Sequence, residues 1–185
     1  MAVKTFIDST ALPASDINTF LANSGLVYIK SQTVGTAVAS VTVTSAFSAD
    51  YDNYRVLYIG GAGSAAAQIR LQLGSLNTLY YGSFIGASYS ASTFYGQNDN
   101  NATLNNYIGW QNTTQAVAVF DLFNPFAANM THMVAQHVFI TAGNAFGTYI
   151  GQQASLTSVT SFTLSPGGGA TFTGGTITVY GYRKA

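Results

Sequence analysis

The sequence predicts an all-β protein, a β-sandwich of the jelly-roll kind with a short N-terminal arm and one short helix. Segments such as 39–44 and 68–73 alternate apolar and polar residues, which is typical of antiparallel strands with one face on a core. Glycine-rich turns such as 166–169 separate the segments. Helical spacing of apolar residues occurs once, and many short strands with one helix favour a sandwich or jelly roll.

We expect about eight to ten strands between residue 26 and the C-terminus, at intervals of roughly 10–15 residues. The chain has no fixed internal period, which disfavours a β-propeller, and no helical spacing between strands, which disfavours a βαβ fold. The run Asn98-Asp99-Asn100-Asn101 is rich in turn-forming residues and is predicted to be a loop. Residues 26–185 therefore form a single β-sandwich domain in this interpretation.

The first 25 residues are predicted to form an anchoring arm. Ser15 is a suitable N-cap for a helix over 15–23, and Gly25 is a suitable stop. The arm holds more apolar surface than a free tail would carry, and each such side chain stabilises by about 1.5–3 kcal/mol when it is fully buried. We expect it to dock on a partner through Phe6, Ile7, Leu12, Ile17, Phe20 and Leu21.

The charge content is unusually low, with 6% charged residues against about 25% in ordinary globular proteins. The chain has no glutamate and no net charge, which favours permanent burial against other subunits over a neutral secreted domain. Its basic residues are scattered, so we expect no nucleic-acid partner. No apolar run is long enough for a membrane helix and no signal peptide opens the chain, so we expect assembly in the cytoplasm of the producing cell.

Residues that could carry catalysis are few, so we expect no enzymatic activity, no cofactor and no metal. There is no cysteine, and His132 and His137 lie five residues apart, on opposite faces of one strand. Asp121 lies in an apolar strand, where a paired or outward-facing role is favoured over that of a buried catalytic acid. The run Gly60-Gly61-Ala62-Gly63-Ser64 lacks the lysine of a phosphate-binding loop and is predicted to be a hairpin turn.

The aromatic content is high, at 14% of residues, and part of it lies among Ser, Asn and Gly between residues 80 and 110. Such a mixture is typical of contact surfaces, and exposed rings also stack on sugars. Cross-strand packing inside the protein is the structural alternative. The candidate receptor or subunit contacts are Tyr80, Tyr81, Tyr89, Tyr95, Tyr107 and Trp110.

Four segments resemble small virion structural proteins of tailed bacteriophages. They are residues 12–28 (LPASDINTFLANSGLVY), 51–56 (YDNYRV), 120–126 (FDLFNPF) and 172–183 (FTGGTITVYGYR). The likeness spans nearly the whole chain, and none of these segments is a catalytic motif. The resemblance implies a place on the virion, either as a capsid-decorating (cement) protein or as a tail-fibre or tail-appendage protein.

The two virion roles imply different partners. A decoration protein binds the major capsid protein or other virion proteins, whereas a tail appendage can contact a glycan on the host surface. The chain has no shaft repeats and no coiled-coil heptads, which favours compact decoration. Neutral, tyrosine-rich surfaces favour closed contacts and a three-fold oligomer suits both roles, so we expect a homotrimer.

Overall fold

The computed structural model describes residues 25–88, 93–139 and 145–184. The predicted all-β class is confirmed, since these ranges hold thirteen strands and all pairings between them are antiparallel. The predicted helix and the arm residues Phe6, Ile7, Leu12, Ile17, Phe20 and Leu21 lie outside the described residues.

The strands are β1 (Leu26–Thr33), β2 (Val41–Val43), β3 (Asn53–Gly63), β4 (Ala67–Leu73), β5 (Tyr80–Ser88), β6 (Phe94–Ala102), β7 (Asn105–Gln111), β8 (Ala116–Phe123), β9 (Thr131–Phe139), β10 (Ala145–Gln153), β11 (Phe162–Pro166), β12 (Phe172–Thr173) and β13 (Thr176–Tyr182).

Hydrogen bonding arranges the strands in two groups. Eight strands form one continuous sheet in the order β1-β13-β3-β8-β9-β10-β5-β6, and four form a second group in the order β2-β11-β4-β7. Strand β8 joins the groups, because β7 pairs with its residues 116–118 and β9 with its residues 120–123. The short β12 pairs with the end of β3. This order is consistent with a two-sheet sandwich, while the jelly-roll topology stays a prediction.

The core is built by strict alternation in both groups. Ile69, Leu71 and Leu73 of β4 and Phe120 and Leu122 of β8 are buried in one cluster, while the residues between them are more exposed. A period of two is what a half-buried strand requires, which is why these segments were recognisable in the sequence.

Two predicted turns are strand in the structure. Residues 98–101 belong to β6, where Asp99 lies opposite Gly82 of β5, so their turn-forming character is overridden by pairing with a distant strand. Residues 60–63 form the end of β3 rather than a hairpin turn, because β3 and β4 do not pair and belong to different strand groups. In both places tertiary pairing decides the conformation.

Four tyrosines explain much of the high aromatic content, because they are fully buried and their hydroxyl groups are hydrogen-bonded within the chain. The Tyr54 hydroxyl donates to the carbonyl of Ser48 at 2.9 Å, and that of Tyr58 to the carbonyl of Gly174 at 3.0 Å. The Tyr80 hydroxyl accepts the N–H of Leu73 at 2.8 Å. Tyr149 is the fourth. A buried phenol is stable only with such a partner.

We expect the protein to unfold at alkaline pH, when these buried tyrosines ionise. Burial raises the pKa of Tyr58 and of Tyr80 from 10.0 to about 12. Their folded-state pKa exceeds the unfolded value, so the stability they contribute is complete below about pH 10 and is lost as the pH rises toward about 12. Titration of the phenolate absorbance should show these groups ionising late and together with loss of β circular dichroism. The urea-unfolded chain is the control, and its tyrosines should all ionise near pH 10. Folded protein whose tyrosines all ionise at the control pH would contradict this.

Candidate interaction surface

One row of outward-facing side chains crosses the entire eight-stranded sheet. Residues directly opposite each other on paired strands point to the same face. From β1 to β6 the row is Tyr28, Tyr180, Arg55, Asp121, Val134, Ile150, Ser83 and Asn98. In the neighbouring row, the central residues, which include Val56, Phe120 and Tyr149, are buried. The sheet therefore has one core face and one outer face.

The outer face carries an apolar patch at its β10-β5-β6 end. The solvent-exposed fractions are 86% for Phe94, 68% for Ile85, 62% for Ile150 and 54% for Phe146. Phe94 and Phe146 lie on either side of Ala87, and Ile85 is the next outward residue of β5. We call these four residues the outer patch. The solvent face of an antiparallel sheet is ordinarily polar, so the outer patch is the strongest indication of a binding surface among the described residues.

The outer patch faces outward because large rings occupy the opposite face of β5 and β10. Phe84 and Tyr149 lie directly opposite each other, between the cross-strand pairs Gly82–Gly151 and Gly86–Gly147. A β-carbon built on Gly82 would lie 2.0 Å from the Tyr149 hydroxyl oxygen, and one on Gly147 would lie 2.3 Å from the Phe84 ring. The rings therefore lie over the glycines, and a slip of one residue would expose both rings.

A buried carboxylate holds the end of β6 against this packing. Asp99 is 6% exposed and accepts hydrogen bonds from the Tyr149 hydroxyl at 2.8 Å, from the backbone N–H of Asn106 at 2.9 Å and from the Asn106 side-chain amide. Burial and the nearby Asp99 carboxylate raise the pKa of Tyr149, so the phenol remains a donor at neutral pH. Sequence reasoning missed Asp99; the available signal was a lone carboxylate among amide side chains.

The two charged side chains in the row that crosses the sheet, Arg55 and Asp121, form an ion pair. Nε and Nη2 of Arg55 donate to the two carboxylate oxygens of Asp121 at 3.0 and 2.8 Å, and the Tyr182 hydroxyl donates to the same carboxylate at 2.7 Å. The hydrogen bond to Asp121 raises the pKa of Arg55, and burial followed by the bond to Asp121 raises the pKa of Tyr182. The interpretation of Asp121 as a paired residue is confirmed.

The aromatic residues predicted as contacts are placed differently from the expectation of exposed rings. Tyr80 and Trp110 are buried within the chain, so neither offers a ring face to a partner, and the prediction is corrected for these two. Tyr81 and Tyr107 are half-buried, and Tyr107 packs near Phe84. Tyr95 is 38% exposed, and Tyr89 lies outside the described residues. The exposed Phe94 and Phe146 were not among the predicted contacts.

Chemistry-bearing side chains remain dispersed. In the ranges that the structure describes, no group of three or more His or Asp residues is arranged to hold a metal ion. His132 is exposed and His137 buried on β9, as their spacing predicted. None of the described residues forms a helix long and apolar enough to cross a membrane.

Comparison of the chain with protein-family models, with curated proteins and with solved structures finds no match in any of the three.

The ring-over-glycine packing predicts a large effect of a single methyl group. Gly82→Ala places a β-carbon against the Tyr149 hydroxyl and should lower the free energy of unfolding by roughly 1–3 kcal/mol, the usual range for overpacking. Ser83→Ala is the matched control: Ser83 is the exposed neighbour on β5, and the change should stay within about 0.5 kcal/mol. Urea unfolding followed by circular dichroism measures both. Equal stability of the two variants would contradict the packing described above.

Proposed function

We propose that the protein is a non-enzymatic structural subunit of a bacteriophage particle, a capsid-decorating (cement) protein. The outer face of the eight-stranded sheet supports this most directly. The row that crosses the whole sheet carries one positive and one negative side chain, Arg55 and Asp121, which form an ion pair. The β10-β5-β6 end of the face carries the outer patch. Covering such a face desolvates few unpaired charges and removes apolar surface from water, which is what a permanently assembled subunit needs.

The virion assignment comes from the sequence resemblance. Segments along nearly the whole chain resemble small virion structural proteins of tailed bacteriophages, and the low charge content fits a permanently assembled subunit. The proposal comprises a jelly-roll sandwich over 26–185, an arm over 1–25 that grips the particle, a homotrimer, and assembly in the host cytoplasm. Its partners are other virion proteins, chiefly the major capsid protein.

A tail-fibre or tail-appendage protein that binds a host glycan is the second candidate. The exposed rings of Phe94 and Tyr95 on β6 favour it, because sugars stack on exposed aromatic faces. The outer patch favours decoration, since two of its members, Ile85 and Ile150, are aliphatic and offer no ring for stacking. Burial of Tyr80 and Trp110 also reduces the number of rings that a glycan could reach.

Particles that lack the protein distinguish the two roles. If the protein decorates the capsid, its loss should leave adsorption to host cells nearly normal and should lower the resistance of the particle to heat and osmotic shock. Imaging of wild-type particles should place the protein on the capsid shell. Particles that are fully stable yet cannot adsorb would favour the tail role, and absence of the protein from purified particles would overturn both.

Charging the outer patch should block assembly without unfolding the protein. Ile150→Lys places an ammonium group in the middle of the outer face, and burying it against a partner is costly, so occupancy on particles should fall several-fold. Leu156→Lys is the matched control, because Leu156 is 63% exposed, close to the 62% of Ile150, but lies outside the eight-stranded sheet. Circular dichroism checks folding, and quantitative gel analysis of particles measures occupancy. Equal occupancy of both variants would contradict the role of the outer patch.

A further inference from the structure

We propose that β6 is a self-association edge, through which two copies of the chain pair their β6 strands antiparallel about a two-fold axis near Gly96. The paired sheets would continue into one another, from eight strands to sixteen. This inference rests on the assembly role proposed above and names one of its contacts.

Strand β6 offers a row of backbone groups that no other described strand uses. It is the last strand of the sheet and pairs only with β5. The N–H of Ser88 donates to the carbonyl of Thr93 at 2.8 Å, which makes these two a hydrogen-bonded pair. Alternation from that pair turns the backbone groups of residues 95, 97 and 99 toward β5, and those of Phe94, Gly96 and Asn98 toward the open edge. An open edge of this kind is a template for another strand.

Residues 94–98 of β6 lack the usual protections of an edge strand, because they hold no lysine, arginine or proline. The inward-pointing Asp99 and the register shift against β5, which do protect an edge, lie beyond these residues. The opposite edge of the sheet differs, because β1 carries Lys30, and lysine is a usual protection of an edge strand. Pairing of β6 with another β6 is therefore favoured over pairing of β6 with β1.

Gly96 is a glycine that contacts with the described residues do not explain. Its φ is not positive, and a β-carbon built on it would meet no atom of the described residues within 4 Å, whereas Gly82 and Gly147 each make room for a ring. A glycine inside a strand weakens the strand and often marks the close approach of another backbone. On the outer face its missing side chain leaves a hollow beside Ile85, which lies directly opposite on β5.

A second copy suits this edge better than a charged partner. Two antiparallel β6 strands centred on Gly96 place Phe94 opposite Asn98 of the partner subunit, and no like charges face each other. The net charge of zero removes long-range repulsion between copies. The pair also brings two outer patches side by side and covers Phe94, the most exposed of its residues.

The two-fold β6 contact determines that the number of copies in the assembly is even. An isologous contact joins copies in twos, and combined with the three-fold contact proposed above it closes as six copies. The inference therefore adds a two-fold contact to the proposed trimer, and it requires six copies in solution where both contacts form and two copies where only the β6 contact forms.

The test compares native mass spectra of the full chain, Gly96→Lys and Gln136→Lys. Gln136 is exposed and belongs to the same cross-strand row as Gly96, but it lies on β9, three strands in from the edge. The full chain and Gln136→Lys should form two or six copies. Gly96→Lys should halve that number while its circular dichroism stays native, because a β-carbon at this position meets no atom of the described residues within 4 Å.

Hydrogen exchange locates the contact. Amides of Phe94, Gly96 and Asn98 should exchange at least ten-fold more slowly at high than at low protein concentration, and those of β2 should not change. A monomeric or trimeric full chain, or concentration-independent exchange of these three amides, would overturn the β6 pair. Such a protein found on particles would leave the proposed function intact. A protein that pairs through β6 but is absent from particles would overturn only the proposed function.

Discussion

The packing of Phe84 and Tyr149 over two cross-strand glycine pairs is the constraint on which the rest of the surface depends. The rings need the absence of side chains at Gly82 and Gly147, and in return they fix which face of β5 and β10 is the core. Because successive strand residues alternate between faces, Ile85 and Ile150 are then held in solvent. Fixing the inner face thus creates the apolar outer one.

The carboxylates of Asp99 and Asp121 are stabilised by hydrogen bonds and ion pairs within the chain rather than by water. Asp99 is buried among three hydrogen-bond donors, and Asp121 is shared between Arg55 and Tyr182. Buried or half-buried carboxylates are tolerated only when their oxygens are satisfied in this way. Since only 6% of the residues are charged, uncharged polar groups and apolar side chains make up most of the remaining surface.

The fold class could be predicted from the sequence, but the residues exposed at the surface could not. Alternation identified strands such as β4, where Ile69, Leu71 and Leu73 are all buried. It failed at 98–101, because pairing with a distant strand overrides local turn preference. It also placed Tyr80 at the surface, since the core position depends on a hydroxyl partner that only the fold brings near. Phe94 was missed because its exposure follows from register and edge position, which composition does not encode.

The order of strand pairing has a consequence for biosynthesis. Leu26 near the start of β1 lies opposite Tyr182 at the end of β13, and β3 is held between β8 and β13. Strand β13, which follows the other described strands along the chain, therefore completes the sheet around two of the earliest. Strands β1 and β3 must wait with unpaired edges until β13 has been synthesised, so the sheet is completed late and slowly, as is typical of non-local β pairing.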